Sequence, residues 1–197
     1  FFSHCNLKCI FCQNKKISTL GYGKEISGKR LESIMLELQE VGAHNINLVT
    51  PTHFVPQIVR VLKRVKNSSL KIPVVYNTSS YENVETINML DGLVDIYLAD
   101  LKYFDNELGC NYSNCDNYFE VASKAIDEMY KQVGNPIIEN ELMKKGIIVR
   151  ILLLPGHKED AKKIIKYLYD KYCDNIYISI MNQYTPVTKS LKYPNLN

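Results

Sequence analysis

Ser3-His4-Cys5-Asn6-Leu7-Lys8-Cys9-Ile10-Phe11-Cys12-Gln13-Asn14 places three thiols within eight residues, in a C-x3-C-x2-C spacing. The apolar Phe1-Phe2 just before it reads as the end of a strand, so the cysteines occupy the loop at that strand's exit. Outward from this loop, two hydrophobic periods alternate. Short apolar or β-branched runs occur at Asn45–Val49, Pro73–Tyr76, Val94–Leu98, Ile147–Leu154 and Ile176–Ile180. Stretches at helical spacing separate them: Leu31 to Val41, Val55 to Val65, Val84 to Leu90, Val121 to Val133 and Ala161 to Leu168. Alternation of this kind predicts parallel strands joined by helical crossovers, an α/β fold. Counting the strand at Phe1-Phe2, there are six βα units, too few for a closed eight-unit barrel. The repeat alone leaves open a partial barrel or a flat doubly wound sheet. The least regular connection is Tyr103–Tyr118, rich in Asn, Asp and Cys.

Parallel α/β folds bind ligands beyond the carboxyl ends of their strands. Each predicted exit here carries polar or conformationally special residues: the cysteine loop, Thr50-Pro51-Thr52-His53, Asn77-Thr78-Ser79-Ser80, Asp100-Leu101-Lys102, Pro155-Gly156-His157 and Asn182-Gln183-Tyr184. Together they outline the mouth of a site. With 197 residues, a net charge of +3 and no Lys/Arg run longer than two, the chain has the balance of an ordinary globular domain and no nucleic-acid footprint. Its longest apolar run, Ile147 to Leu154, is broken by Arg150 and falls far short of a membrane span. The expectation is a cytoplasmic protein with reduced thiols, since three of the six cysteines cluster and the rest are scattered among long helical and strand-like patterns, unlike a small disulfide scaffold. The chain opens without methionine and reaches its motif by the fifth residue, so it is expected to be a fragment, truncated at both ends.

Three thiolates on a tight loop can hold three corners of an iron–sulfur cubane and leave the fourth iron open, as a reactive metal site requires. On spacing alone other readings stay open. A structural zinc site recruiting His4 or His44 lacks the usual second close pair of ligands. A four-cysteine electron-transfer cluster would draw in Cys110 or Cys115, and a cluster of packed thiols is the plainest alternative. Cys173 ends a helical pattern and reads as a packed thiol. His53 and His157 read as loop residues at the mouth.

The motif from Cys5 to Asn14, with its aromatic before the last cysteine, resembles the cluster motif of the radical S-adenosylmethionine (SAM) superfamily. Its wording resembles the activating enzymes of pyruvate formate-lyase and their uncharacterised iron–sulfur homologues. Gly42 to His53, Tyr76 to Tyr81 and Val94 to Tyr103 are similar to further signatures of that branch, so the resemblance extends over nearly the whole chain. It implies a (β/α)6 partial TIM-like barrel, with residues 1–197 forming one radical SAM core domain. It also implies an oxidoreductase in which Cys5, Cys9 and Cys12 ligate a 4Fe–4S cluster. That cluster reduces SAM, releasing methionine and a 5′-deoxyadenosyl radical that takes a hydrogen atom from the substrate. By the same resemblance, Phe11 lies beside the adenine, Asp100 and Lys102 contact SAM, and Arg150 reaches its carboxylate or ribose. Asn77 and Thr78 lie near the methionyl part, and Gln183 and Tyr184 near the adenine. No residue is assigned a catalytic role of its own. The implied electron donor is flavodoxin or ferredoxin, and the substrate is a glycyl radical enzyme or a small molecule. Two departures bear on the substrate. Where the family places Gly-Gly-Glu, this chain reads Thr50-Pro51-Thr52-His53, so Thr52 or backbone carbonyls take over that contact. Asn77 stands where those enzymes carry aspartate.

Overall fold

The fold is described from a computed structural model covering residues 1–187 and 190–196. Its framework is one six-stranded sheet. Five strands run parallel in the order β1 (Ile46–Val49), β2 (Val74–Thr78), β3 (Ile96–Asp100), β5 (Leu142–Leu152) and β6 (Tyr177–Met181). The sixth, β4 (Ile137–Glu139), pairs antiparallel with the first residues of β5. The outer strands β1 and β6 do not meet, so the sheet is not closed.

The sixth strand is therefore not the one read at Phe1-Phe2. Those residues form no strand; Phe2 only donates its N–H to Val49 O at 2.9 Å along the free edge of β1. The extra strand comes from a hairpin whose two turn residues, Asn140 and Glu141, both have positive φ. That is the geometry of a type I′ turn, which matches the twist of the flanking strands. Beyond it, Gly146 takes φ +131°, and a Cβ there would lie 3.0 Å from Pro136 Cα, so glycine is required where β5 leaves the hairpin and joins the parallel sheet.

The crossovers follow the expected spacing. α2 (Gly28–Glu40), after the single-turn α1 (Lys15–Ser18), starts at Ser27, whose side chain accepts from Arg30 N–H at 3.1 Å. α3 (Val55–Ser68) begins with a proline at its first turn, where the missing N–H costs nothing. α4 (Val84–Asn88), α6 (Tyr118–Val133) and α7 (Lys158–Tyr172) complete the set. The irregular stretch Tyr103–Tyr118 contains one more helix, α5 (Asn106–Ser113).

Alternation along the strands separates two faces. Tyr76, Tyr97, Ala99, Ile147, Val149 and Ile151 are buried against the helices in the main core, with Ile126, Met129, Ile164 and Leu168. Met35, Ile46, Leu48, Ile58, Leu62 and Val74 form a second core under β1 and β2. The opposite, inner face carries Asn77, Leu98, Asp100, Ile148, Arg150 and Leu152, all only half-buried. No helix among the described residues is long and apolar enough to cross a membrane.

Candidate functional site

Asp100 and Arg150 are direct partners in the parallel register of β3 and β5, and Asn77 sits opposite Leu98 on β2. Side chains two apart on a strand share a face, so Asn77, Asp100 and Arg150 project together from the inner face at the carboxyl ends of three adjacent strands. Arg150 Nε–H donates to Asp100 Oδ1 at 2.7 Å, and its Nη2 donates to Asn77 Oδ1 at 2.7 Å. Lys102 Nζ takes the other carboxylate oxygen, Asp100 Oδ2. Two cations thus share one carboxylate. The network is mostly withdrawn from water, with side-chain exposures of 16–23%, and retains one net positive charge. Burial works against the charge on Lys102, but Asp100 and the neighbouring Cys9 outweigh it and raise its pKa.

Behind the network, the buried Tyr118 ring knits two strand exits together. Its hydroxyl accepts from Lys102 N–H at 3.1 Å and lies 2.8 Å from Ser79 O and 3.0 Å from Asp100 O. The short turn carrying Lys102 is thereby fixed.

The cysteine loop lies against this network. Lys102 is an electrostatic neighbour of both Cys5 and Cys9. Burial pushes both thiols up, and Lys102 pulls them back towards the thiolate. The loop is curled by Cys12 N–H donating to Cys9 O at 3.2 Å and by Leu7 N–H directed at Cys5 Sγ at 3.5 Å. Cys12 Sγ lies 3.2 Å from Ser18 Oγ of α1. Asn6 reaches across to Tyr81 O, past the exit of β2.

The other wall of the loop is α5. A helix leaves its last carbonyls without intrahelical partners. Here Asn114, in the left-handed region at φ 56°, stops the helix, and its N–H returns to the carbonyls of Cys110 and Gly109. The carbonyls of Tyr112 and Ser113 are left over, and the loop uses both. Ile10 N–H donates to Tyr112 O at 2.9 Å and Lys8 N–H to Ser113 O at 3.0 Å, one on each side of Cys9.

The remaining sequence-predicted residues divide. Phe11 meets Tyr184 edge to face at 6.2 Å between ring centroids. The Tyr184 hydroxyl oxygen is buried and has no hydrogen-bond partner among the described residues. Gln183 is exposed and directs its amide at Met181 Sδ, outside the network. Thr52 and Thr78 are engaged elsewhere: both hydroxyls serve Glu82, which also accepts from Tyr76 Oη at 2.8 Å. Glu82 is 4% exposed, and burial raises its pKa against the opposing hydroxyls of Thr78, Tyr76 and Thr52. It ties the exits of β1 and β2 together. Glu82 and Ser113 were not legible as site residues; a charged loop residue and a serine in an irregular stretch carry no periodic signal.

The residues suit the groups that the motif implies. Among the described residues, no three His, Cys, Asp or Glu side chains converge on a point as ligands of a single ion would. The three thiols are electrostatic neighbours on one curled loop, the donor set that an iron–sulfur cluster takes. A surplus positive charge beside them suits a carboxylate, and an orphaned buried hydroxyl beside an aromatic ring suits a polar heterocycle.

Known proteins share the sequence pattern and the fold. The chain is 32% identical, over 205 aligned positions, to the uncharacterized protein MJ0674 of Methanocaldococcus jannaschii. The alignment takes in all of this chain and 56% of that relative, so the chain spans little more than half its length. Among solved structures, Streptococcus suis SuiB bound to the precursor peptide SuiA superposes over 100% of this chain and 40% of SuiB, with TM-score 0.68 and 14% identity. Methylornithine synthase (PylB) superposes over 94% of this chain and 52% of its own, with TM-score 0.63 and 14% identity. HydG, a maturase of the [FeFe]-hydrogenase, covers 98% of this chain and 44% of its own, with TM-score 0.61 and 14% identity. At these identities the likeness is one of fold, the radical SAM partial barrel. The sequence model of the Radical SAM superfamily matches residues 1–168, cysteine loop and network included, and the chain belongs to that superfamily.

Proposed function

We propose that this chain is the core of a radical SAM enzyme that carries a 4Fe–4S cluster on Cys5, Cys9 and Cys12 and binds SAM at the open iron. The observation that carries this reading is the placement of a three-thiol loop directly beside the Lys102–Asp100–Arg150–Asn77 network. Cluster and SAM together would supply a reductively generated 5′-deoxyadenosyl radical, the hard chemistry of the reaction. The protein's share is to bind and orient. Arg150 and Lys102 offer donors to the carboxylate and ribose of SAM, with Asp100 fixing both cations. Phe11 and Tyr184 offer a ring and a free hydroxyl to the adenine. Asn77 presents its amide near the methionyl part. Thr52 and Thr78, whose hydroxyls serve Glu82, contribute through the backbone of their loops, and Gln183 stands at the rim.

The substrate reading is the activating-enzyme type, with hydrogen abstracted from a glycine of a partner glycyl radical protein and with flavodoxin or ferredoxin as electron donor. The inner face favours an uncharged reacting group: Leu98 and Ile148, paired across β3 and β5, lie half-buried one step below Asp100 and Arg150. The same feature suits an uncharged small molecule, which is the second reading.

The test is anaerobic. The protein is reconstituted with iron and sulfide, reduced with dithionite and mixed with SAM, beside a Cys9→Ala control. 5′-Deoxyadenosine from the wild type alone is the expected result; none from a full-length form would overturn the reading. Deuterium passing into deoxyadenosine from a protein with α-deuterated glycine supports the first substrate class. Label arriving only from a small molecule selects the second.

A further inference from the structure

Ser113, the last residue of α5, is 0% exposed and donates its hydroxyl to Cys9 Sγ at 2.9 Å. Its oxygen also lies 2.7 Å from the hydroxyl of Tyr103, itself 0% exposed. A serine hydroxyl has one proton. Because that proton is committed to the thiol sulfur, Tyr103 must be the donor in the second bond. The result is a directed chain, Tyr103 O–H to Ser113 O–H to Cys9 Sγ, with both hydroxyl residues closed to solvent and Cys9 half-buried. The backbone of the same segment holds the loop on both sides of Cys9 through Ser113 O and Tyr112 O. The sulfur and its donor are therefore fixed relative to each other.

A donor aimed at a ligating sulfur stabilises the reduced form of an iron–sulfur centre more than the oxidised form, because the added electron increases the negative charge on the sulfurs. Burial strengthens the effect by excluding competing water. We propose that Ser113 is a positioning residue that raises the reduction potential of the cluster through its hydrogen bond to Cys9, with Tyr103 holding the serine hydroxyl in direction. This rests on the proposed ligation of the cluster by Cys9. It gives α5 a function beyond support: the helix sets how strong a reductant the centre needs.

The test is a redox titration of the reconstituted, SAM-free protein followed by EPR, with iron and sulfide content measured first. Ser113→Ala is expected to load its cluster and titrate at a more negative potential than the wild type. Tyr103→Phe, which leaves the serine free to turn, moves the potential the same way by a smaller amount. Tyr112→Phe is the control, since its hydroxyl bonds His157 Nε2 at 2.8 Å and not the thiol chain; its potential stays at the wild-type value. A fully loaded Ser113→Ala protein at the wild-type potential overturns the proposal, as does an equal shift in Tyr112→Phe. Should Ser113→Ala fail to load, an unshifted Tyr103→Phe overturns it. A wild type that assembles no cluster fails at the iron analysis, before any potential is read. That outcome removes the assignment of the three cysteines and this proposal with it.

Discussion

Asp100 neutralises only one of the two cations that it bonds, so its removal leaves Lys102 and Arg150 facing each other with little water to screen them. Asp100→Asn is expected to cost about 2 kcal/mol of stability, from charge-assisted hydrogen bonds at a site that remains partly wet. Denaturant unfolding checks this, and deoxyadenosine formation should fall with it. Glu82 gives a pH signature. Its folded pKa is raised, chiefly by burial. Protonated Glu82 therefore favours the fold below the ordinary glutamate value of about 4.3, and that contribution is lost as pH rises through the higher folded value. Glu82→Gln has no such loss. Its stability relative to the wild type should improve between pH 4.5 and pH 8 in urea unfolding, and a pH-independent difference would contradict the assignment.

At the scale of elements, the parallel strands and long helices were legible because their hydrophobic periods are clean. The exits at Asn77 and Asp100–Lys102 were read from the strand pattern and Arg150 only from the resemblance; the strand register brings Asn77, Asp100 and Arg150 to one face. Two elements were not. The hairpin β4–β5 has an all-exposed first strand and a turn, Asn140-Glu141, without glycine, so neither alternation nor turn chemistry announced it. The helix α5 holds Gly109, two asparagines and a cysteine, a weak helix former. It is held by its Asp105 cap and by contacts that only the folded chain supplies: burial of Gly109, Tyr112 and Ser113 and the bonds to the cysteine loop. Its stop depends on Asn114 in the left-handed region. Asn114→Gly should be close to neutral, whereas Asn114→Val should cost about 1–2 kcal/mol and reduce iron uptake, measured by thermal unfolding and iron analysis. Gly146→Ala should cost about 1–3 kcal/mol, because its strained φ and the close approach of Pro136 both exclude a Cβ.

For the whole molecule, an open sheet leaves the inner face accessible, and the cysteine loop is joined to it by a handful of hydrogen bonds, mainly to α5 and the exit of β2. Cluster binding should therefore be coupled to folding. The loaded protein should melt above the chelator-treated protein, with each kcal/mol of coupling worth about 2–4 °C at this size. Equal melting temperatures would mean that the loop is set without its metal. The central claim is narrower: three cysteines hold a cluster whose fourth iron is free for SAM. The most direct measurement is the EPR spectrum of the dithionite-reduced, reconstituted protein with and without SAM. A reduced 4Fe–4S signal whose g-values shift when SAM is added is the predicted result. A spectrum of the same cluster that ignores SAM would contradict the account and leave an electron-transfer centre in its place.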